Sequence, residues 1–255
     1  MRNRAVRTRE RILSAAADLL TREGRAAVST RAVSAAAGVQ PPTLYRLFGD
    51  KEGLLDALAA YGFQRYLLEK QALRETDDAI ADLRRCWDLH VDFGLSRPGF
   101  YVLMYGEGRY RGDIPAGLEV MAILRRNLSR VAAAGWLRMS VERATQLMHV
   151  NGLGVVLSLI STPLPERDPE LATIAREYVL GTITAVGDRV AEASTGVAGK
   201  AVALREALRD NATTALTQSE RALLGDWLDR IADTCDLGPA VLEPPGRRDG
   251  RGVHR

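Results

Sequence analysis

Residues 29–55, STRAVSAAAGVQPPTLYRLFGDKEGLL, decide how this chain is read. They predict a helix, a tight turn, a second short helix and the start of a third. Ser29 or Thr30 offers a side-chain oxygen to an orphan backbone N–H at the first helix start. Val33, Ala36 and Ala37 follow at helical spacing. Gly38 stands where that helix must end, in a conformation that costs a residue without a β-carbon least. Val39 plugs the angle between the helices. Pro41 and Pro42 suit the first turn of the next helix, where a missing N–H costs nothing. Leu44, Leu47 and Phe48 give that helix a buried face and leave Thr43, Tyr45 and Arg46 outside it.

A short second helix with polar and basic residues near its N-terminus has the geometry that reads the DNA major groove, where Gln, Thr and Arg can bond to base edges. The spacing alone also fits an ordinary αα-hairpin with a glycine turn. The segment further resembles the DNA-binding signature of TetR-type transcriptional regulators. The resemblance rests on Ala37, Gly38 and Val39, on Tyr45 and Phe48 as Tyr-x-x-Phe, on Lys51 and Glu52, and on the pair Leu54 and Leu55. It continues through ERILSAAADLLTREG back to Arg9, so it covers residues 8–60. Two positions depart from the pattern. Gln40 stands where the family usually has a capping Ser, so Gln40 either reaches a base or leaves the helix to start uncapped on Pro41. Leu47 stands where a His or Tyr often touches phosphate, so that contact is lost.

The resemblance implies an all-α protein: an N-terminal three-helix helix-turn-helix DNA-binding domain over 8–55, and a helical C-terminal ligand-binding and dimerisation domain over 73–235. A homodimer would bind a palindromic double-stranded DNA operator, repress, and be released by a small effector. Gln40, Pro42, Thr43 and Arg46 are the candidate base or groove-edge contacts. Thr30, Tyr45 and Lys51 are the candidate phosphate contacts. Lys51 stands at the start of a helix predicted over 51–72, where the dipole favours an acid, and a DNA phosphate gives the lysine a reason to be there.

Charge placement agrees. The chain carries +3 overall, but residues 1–60 hold ten Arg or Lys against six Asp or Glu. The basic excess thus lies with the helix-turn-helix, as a polyanion partner requires. Residues 1–7 read as a flexible basic arm, either ordering on phosphates or merely solvated. Cys86 and Cys235 lie far apart without a CxxC or Cys/His cluster, so neither a zinc site nor another cofactor is expected. The arginine-rich start lacks the apolar core of a signal peptide. The most apolar run, 147–160, is broken by Asn151, Gly152 and Gly154 and falls short of a bilayer span. A cytoplasmic location is expected.

Helices are expected over 8–23, 77–96, 100–105, 115–134 and 140–161. Another starts at Asp168-Pro169 and carries Leu171, Ile174, Tyr178, Val179, Ile183, Val186 and Val190 on one face. The last two long helices can pack on their copies as a four-helix bundle, or within one subunit. Thr217 and Glu220 form a capping box before Leu223, Leu224, Trp227, Leu228 and Ile231. The tail, 236–255, should be disordered.

Aromatic residues and methionines concentrate between 87 and 149, Tyr110 and Met148 among them, with His90, His149 and Asn151 interspersed. They are either plain core or an effector pocket, such pockets being apolar with few polar groups. Trp87, His90, Tyr101, Tyr105, Met121, His149 and Asn151 are the candidate ligand contacts, for an apolar or aromatic effector. No GxSxG, HExxH or P-loop occurs, so no catalytic residue is assigned. A ligand-independent structural DNA-binding protein remains the alternative reading, and a helical interaction module with a vestigial reading head a third.

Overall fold

The computed structural model describes residues 2–106, 114–185, 196–210 and 216–233. Tyr110, Val186, Val190, Cys235 and the tail from 236 lie outside the described residues. The described chain is helical: α1 (Arg2–Glu23), α2 (Thr30–Ala36), α3 (Pro41–Phe48), α4 (Lys51–Gln71), α5 (Ala79–Ser96), α6 (Pro98–Tyr101), α7 (Pro115–Ala133), α8 (Val141–Ser161), α9 (Leu171–Ile183), α10 (Val197–Asp210) and α11 (Gln218–Ala232). No strand occurs among the described residues, only an isolated antiparallel bridge between Leu137 and Thr184.

Two expected boundaries move. The arm expected over 1–7 is helical from Arg2 and continuous with α1. Its arginines and Ala5 are good helix formers, and no Gly or Pro interrupts them. The helix expected to carry its apolar face to Val190 ends instead at Ile183. There the backbone turns extended, and Arg138 and Ala185 donate N–H groups across to Ile183 O and Trp136 O at 2.9 and 2.8 Å. β-Branched Ile183 and Thr184 suit that extended exit.

α4 is the spine. Its N-terminal half packs on α1 and α3, and the rest on α5, α6 and α7. Leu54, Leu55, Leu58, Phe63 and Tyr66 are essentially inaccessible along its length. α6 leans on α1, with Gly99 so close that a β-carbon there would lie 3.1 Å from Leu20 O. α6 then continues into one π-helical turn, Val102–Gly106, a geometry frequent at functional sites.

α8 passes the length and composition test for a membrane-crossing helix. The helix is longer than the apolar run 147–160, at 21 residues, and that run offsets the polar residues at its N-terminal end. In this fold Ala144, Met148, Gly152, Val156 and Leu159 are buried against neighbouring helices. Of the two glycines in that run, Gly152 admits a neighbour: a β-carbon there would meet the His90 ring at 3.2 Å. Gly154 instead faces open space.

A closer approach occurs at Gly94 on α5. A β-carbon there would lie 2.3 Å from Val156 Cγ1 and 2.9 Å from Tyr101 Cδ2. Both neighbours are buried, so neither can swing into solvent. Gly94→Ala should therefore destabilise by about 2 kcal/mol through overpacking, despite alanine's higher helix propensity. Urea denaturation checks this; a variant as stable as the parent would show that α5 and α8 separate freely.

α9 is fastened to α5 by polar contacts. Trp87 Nε1 donates to Ala172 O at 3.1 Å, and Arg84 pairs with Glu177 at 2.9 Å. Arg176 also reaches Asp88. The capping box of α11 is present, with Glu220 N donating to Thr217 Oγ1 at 3.3 Å and Thr217 N to the Glu220 carboxylate at 2.8 Å. α10 and α11 pair with each other, and α10 docks on α7. Asp233 anchors the far end by accepting from Ser140 N and Oγ at 3.0 and 2.8 Å. Of the five apolar residues that follow the capping box, Leu228 is buried, Leu224 half-buried, and Leu223, Trp227 and Ile231 are exposed. The neighbouring α10 is one narrow helix and covers only one side.

Candidate nucleic-acid interface and effector cavity

The turn between α2 and α3 is built as its residues dictate. Ser29 Oγ caps α2 by accepting from Ala32 N at 3.2 Å. At the other end Gly38 has φ 61, and two bonds close a Schellman motif. Gly38 N donates to Ala35 O at 3.1 Å and Val39 N to Ser34 O at 3.0 Å. α3 then begins on Pro41 with no side-chain cap from Gln40. Leu44 and Phe48 anchor it, and Leu47 is half-buried.

Gln40, Pro42, Tyr45 and Arg46 are thereby left on the outer face, with Thr43 half-buried beside them. The Tyr45 hydroxyl lies 3.3 Å from Thr30 Oγ1, so two expected phosphate contacts from separate helices meet. Lys51 is exposed on the first turn of α4. Sequence reasoning missed the cap of that helix: Asp50 Oδ1 accepts from Gly53 N at 2.8 Å. An acid at that position offsets the dipole, so Lys51 is left to face outward.

The second site is a cavity of about 40 Å³ among α4, α5, the π-turn, α7 and α8. Five of the seven expected ligand contacts line it: Trp87, His90, Tyr105, Met121 and His149. The remaining two do not. Tyr101 is buried behind His90, and Asn151 turns its amide back onto Leu147 O at 2.8 Å within α8. Tyr66, Lys70, Cys86, Val120, Leu124 and Met148 complete the wall.

His90 is clamped between two phenols, with Tyr66 Oη 2.7 Å from Nδ1 and Tyr101 Oη 2.8 Å from Nε2. Burial, the Lys70 charge and His149 hold its pKa down at about 3. The imidazole is therefore neutral at physiological pH. One ring nitrogen donates to a phenol oxygen and the other accepts a phenol proton. Burial first, then the neighbouring Tyr105 and Tyr66, raises the Tyr101 hydroxyl, and burial raises Tyr66 further. Burial likewise lowers His149. The trio is a locked, uncharged network.

A short helix held on a glycine turn, with its polar face outward, and a helical bundle enclosing a cavity define a helix-turn-helix head joined to an all-helical bundle. Residues 12–58 match the family model described as bacterial regulatory proteins, tetR family. No curated protein matches the chain. Solved structures do. A Rhodococcus sp. RHA1 protein of unknown function is 25% identical, with TM-score 0.59 over 70% of this chain and 96% of that one. RolR in complex with resorcinol is 20% identical, with TM-score 0.57 over 76% and 96%. A TetR family transcription regulator from Marinobacter aquaeolei VT8 is 20% identical, with TM-score 0.54 over 72% and 99%. Residues 12–58 are thus similar to the tetR family's DNA-binding segment, and the chain has the fold seen in TetR-family transcription regulators.

Proposed function

We propose that the protein is a homodimeric, cytoplasmic, effector-responsive repressor whose α3 reads operator DNA. The observation that carries this reading is the sharing of α4 between two sites. Lys51 begins the helix beside α3, while Tyr66 and Lys70 line the cavity near its end. A ligand that opens the cavity pushes on the element that also supports the reading head. Gln40, Pro42, Thr43 and Arg46 meet base or groove edges in this reading, and Thr30, Tyr45 and Lys51 meet phosphates. The effector enters among Trp87, His90, Tyr105, Met121 and His149. Tyr101 supports His90 from behind, and Asn151 stays off the wall. A structure of the same fold that holds resorcinol supports the bundle as a small-molecule site.

The cavity is small as closed, so a ligand must part its walls. Met121 and Met148, with several rotatable bonds each, are the side chains suited to move. Because the ligand then binds the parted state better than the closed one, it shifts the population between them.

Dimerisation is supported by the outer face of α8 and α9. Val150, Ile174 and Tyr178 are exposed there, and Gly154 and Gly181 offer open backbone. The expected stripe on α9 therefore divides: Val179 and Ile183 pack inside the subunit, while Ile174 and Tyr178 face outward. Small and apolar residues on two adjacent helices suit a four-helix contact with a second copy. Ile174→Asp combined with Tyr178→Asp should convert the dimer to monomer in sedimentation velocity. Operator affinity should fall with it, since each half-site would then be bound alone. A double variant that remains dimeric contradicts this interface.

A further inference from the structure

The expected effector was apolar or aromatic, yet the cavity wall holds a cation that this description leaves out. Lys70 is only 5% exposed. Its Nζ donates to Cys86 O and, at 2.9 Å, to Cys86 Sγ, and it lies 5.2 Å from the centre of the Tyr66 ring. A carbonyl, a thiol and a ring face carry no opposite charge. Among the described residues, no carboxylate forms an ion pair with Lys70, whereas the nearby Asp82 is taken by Arg85 and Arg130. Of the other titratable groups around it, His90 is neutral, the Tyr66 hydroxyl is pushed up by burial and keeps its proton, and His149 is pushed down by burial. A buried ammonium without a counter-charge is costly unless something supplies one. The ammonium has three donors, and Cys86 takes two of them.

We propose that the cavity takes a singly charged organic anion: a carboxylate on an apolar or aromatic body, with Lys70 as its counter-ion. This rests on the cavity being the effector site and adds the charge class of the effector. The carboxylate meets Lys70 at the α4–α5 end. The body lies against Trp87, Val120, Met121, Leu124 and Met148, which bring no cation. A single lysine sets the charge at one, because a second anionic group would enter this apolar wall unpaired. A neutral ligand of equal shape would leave the ammonium desolvated and still unmatched.

The test uses matched acid and amide probes: benzoate and benzamide, 2-naphthoate and 2-naphthamide, hexanoate and hexanamide. Each is titrated calorimetrically into the full-length protein and into Lys70→Met. Methionine keeps the length and apolar stem of the side chain. At least one acid should bind the parent about tenfold or more tighter than its amide, the size of a charge-assisted hydrogen bond. In Lys70→Met that preference should vanish, and the melting temperature should rise as an unpaired charge is removed. Equal binding of acid and amide to the parent overturns the charge assignment while leaving the cavity as an effector site, and needs no variant to read. Acid preference that survives in Lys70→Met overturns Lys70 as the counter-ion. If none of the six probes binds, the cavity is not an effector site and the inference falls with it.

Discussion

Asp82→Ala is expected to cost about 3 kcal/mol of stability at neutral pH, the size seen when a buried, multiply bonded charge loses its partner set. Asp82 lies on the first turn of α5 and is 5% exposed. Its carboxylate accepts from Thr76 N at 2.9 Å and Thr76 Oγ1 at 2.7 Å, and pairs with Arg85 and, at 2.5 Å, with Arg130. It therefore ties α5 to α7 and to the loop leaving α4. Burial alone would raise its pKa, but the Thr76 N–H, Arg130, the Thr76 hydroxyl and Arg85 together bring it down from 3.8 to about 2. The depressed value means that folding favours the ionised form. The stabilisation is complete above about pH 4 and fades as pH falls through about 2, and the shift corresponds to roughly 2 kcal/mol. Asp82→Asn keeps the shape and loses the charge. Its deficit against the parent should be close to that figure at pH 7 and should shrink steadily below pH 4 in urea melts. A deficit that does not change with pH would show that packing, and not charge, holds this corner.

Arg46→Ala should weaken specific DNA binding by roughly 1–3 kcal/mol per protomer if it contacts a base, and relax the preference at that base pair. A dimer carries the substitution twice, so the operator complex should lose roughly 2–6 kcal/mol, or about 30-fold to 10⁴-fold in affinity. The side chain is exposed at the end of α3, outside the apolar face made by Leu44 and Phe48, so the fold should not notice its removal. Lys51→Ala should behave differently. A phosphate contact weakens all sequences alike and lowers the salt dependence, by about one in slope per contact. Competition assays with operator and unrelated DNA at two salt concentrations separate the two patterns. Identical behaviour of the two variants would remove Arg46 from the base contacts.

The reading head was legible in the sequence because its punctuation is local. Ser29, Gly38 and Pro41 each act within one helical turn, and the structure uses all three as their chemistry demands. The end of α9 was not legible, since Thr184 leaves the helix to pair with Leu137 across the bundle. Sequence periodicity cannot see that partner. The packing of α11 was not legible for a similar reason. Trp227 and Ile231 continue an apolar stripe, but a single covering helix buries only part of it.

In the cavity, the concentration of aromatic residues between 87 and 149 pointed to the right helices, yet the wall also draws on α4. Tyr66 and Lys70 were readable in principle. They sit four residues apart on the stripe that Phe63 and Leu67 mark as buried, and a lysine in such a stripe is a signal in itself. Asn151 was placed on the wall by composition, and its amide instead finds a carbonyl one turn back, as short polar side chains in helices can.

Selection of bound sequences from a random DNA pool at near-physiological salt tests the central claim most directly. A two-fold dimer presenting α3 twice predicts an enriched palindrome, with half-sites spaced by close to an integral number of helical turns. No enriched motif, with binding that vanishes on modest added salt, would contradict it and leave a charge-driven DNA-coating protein in its place.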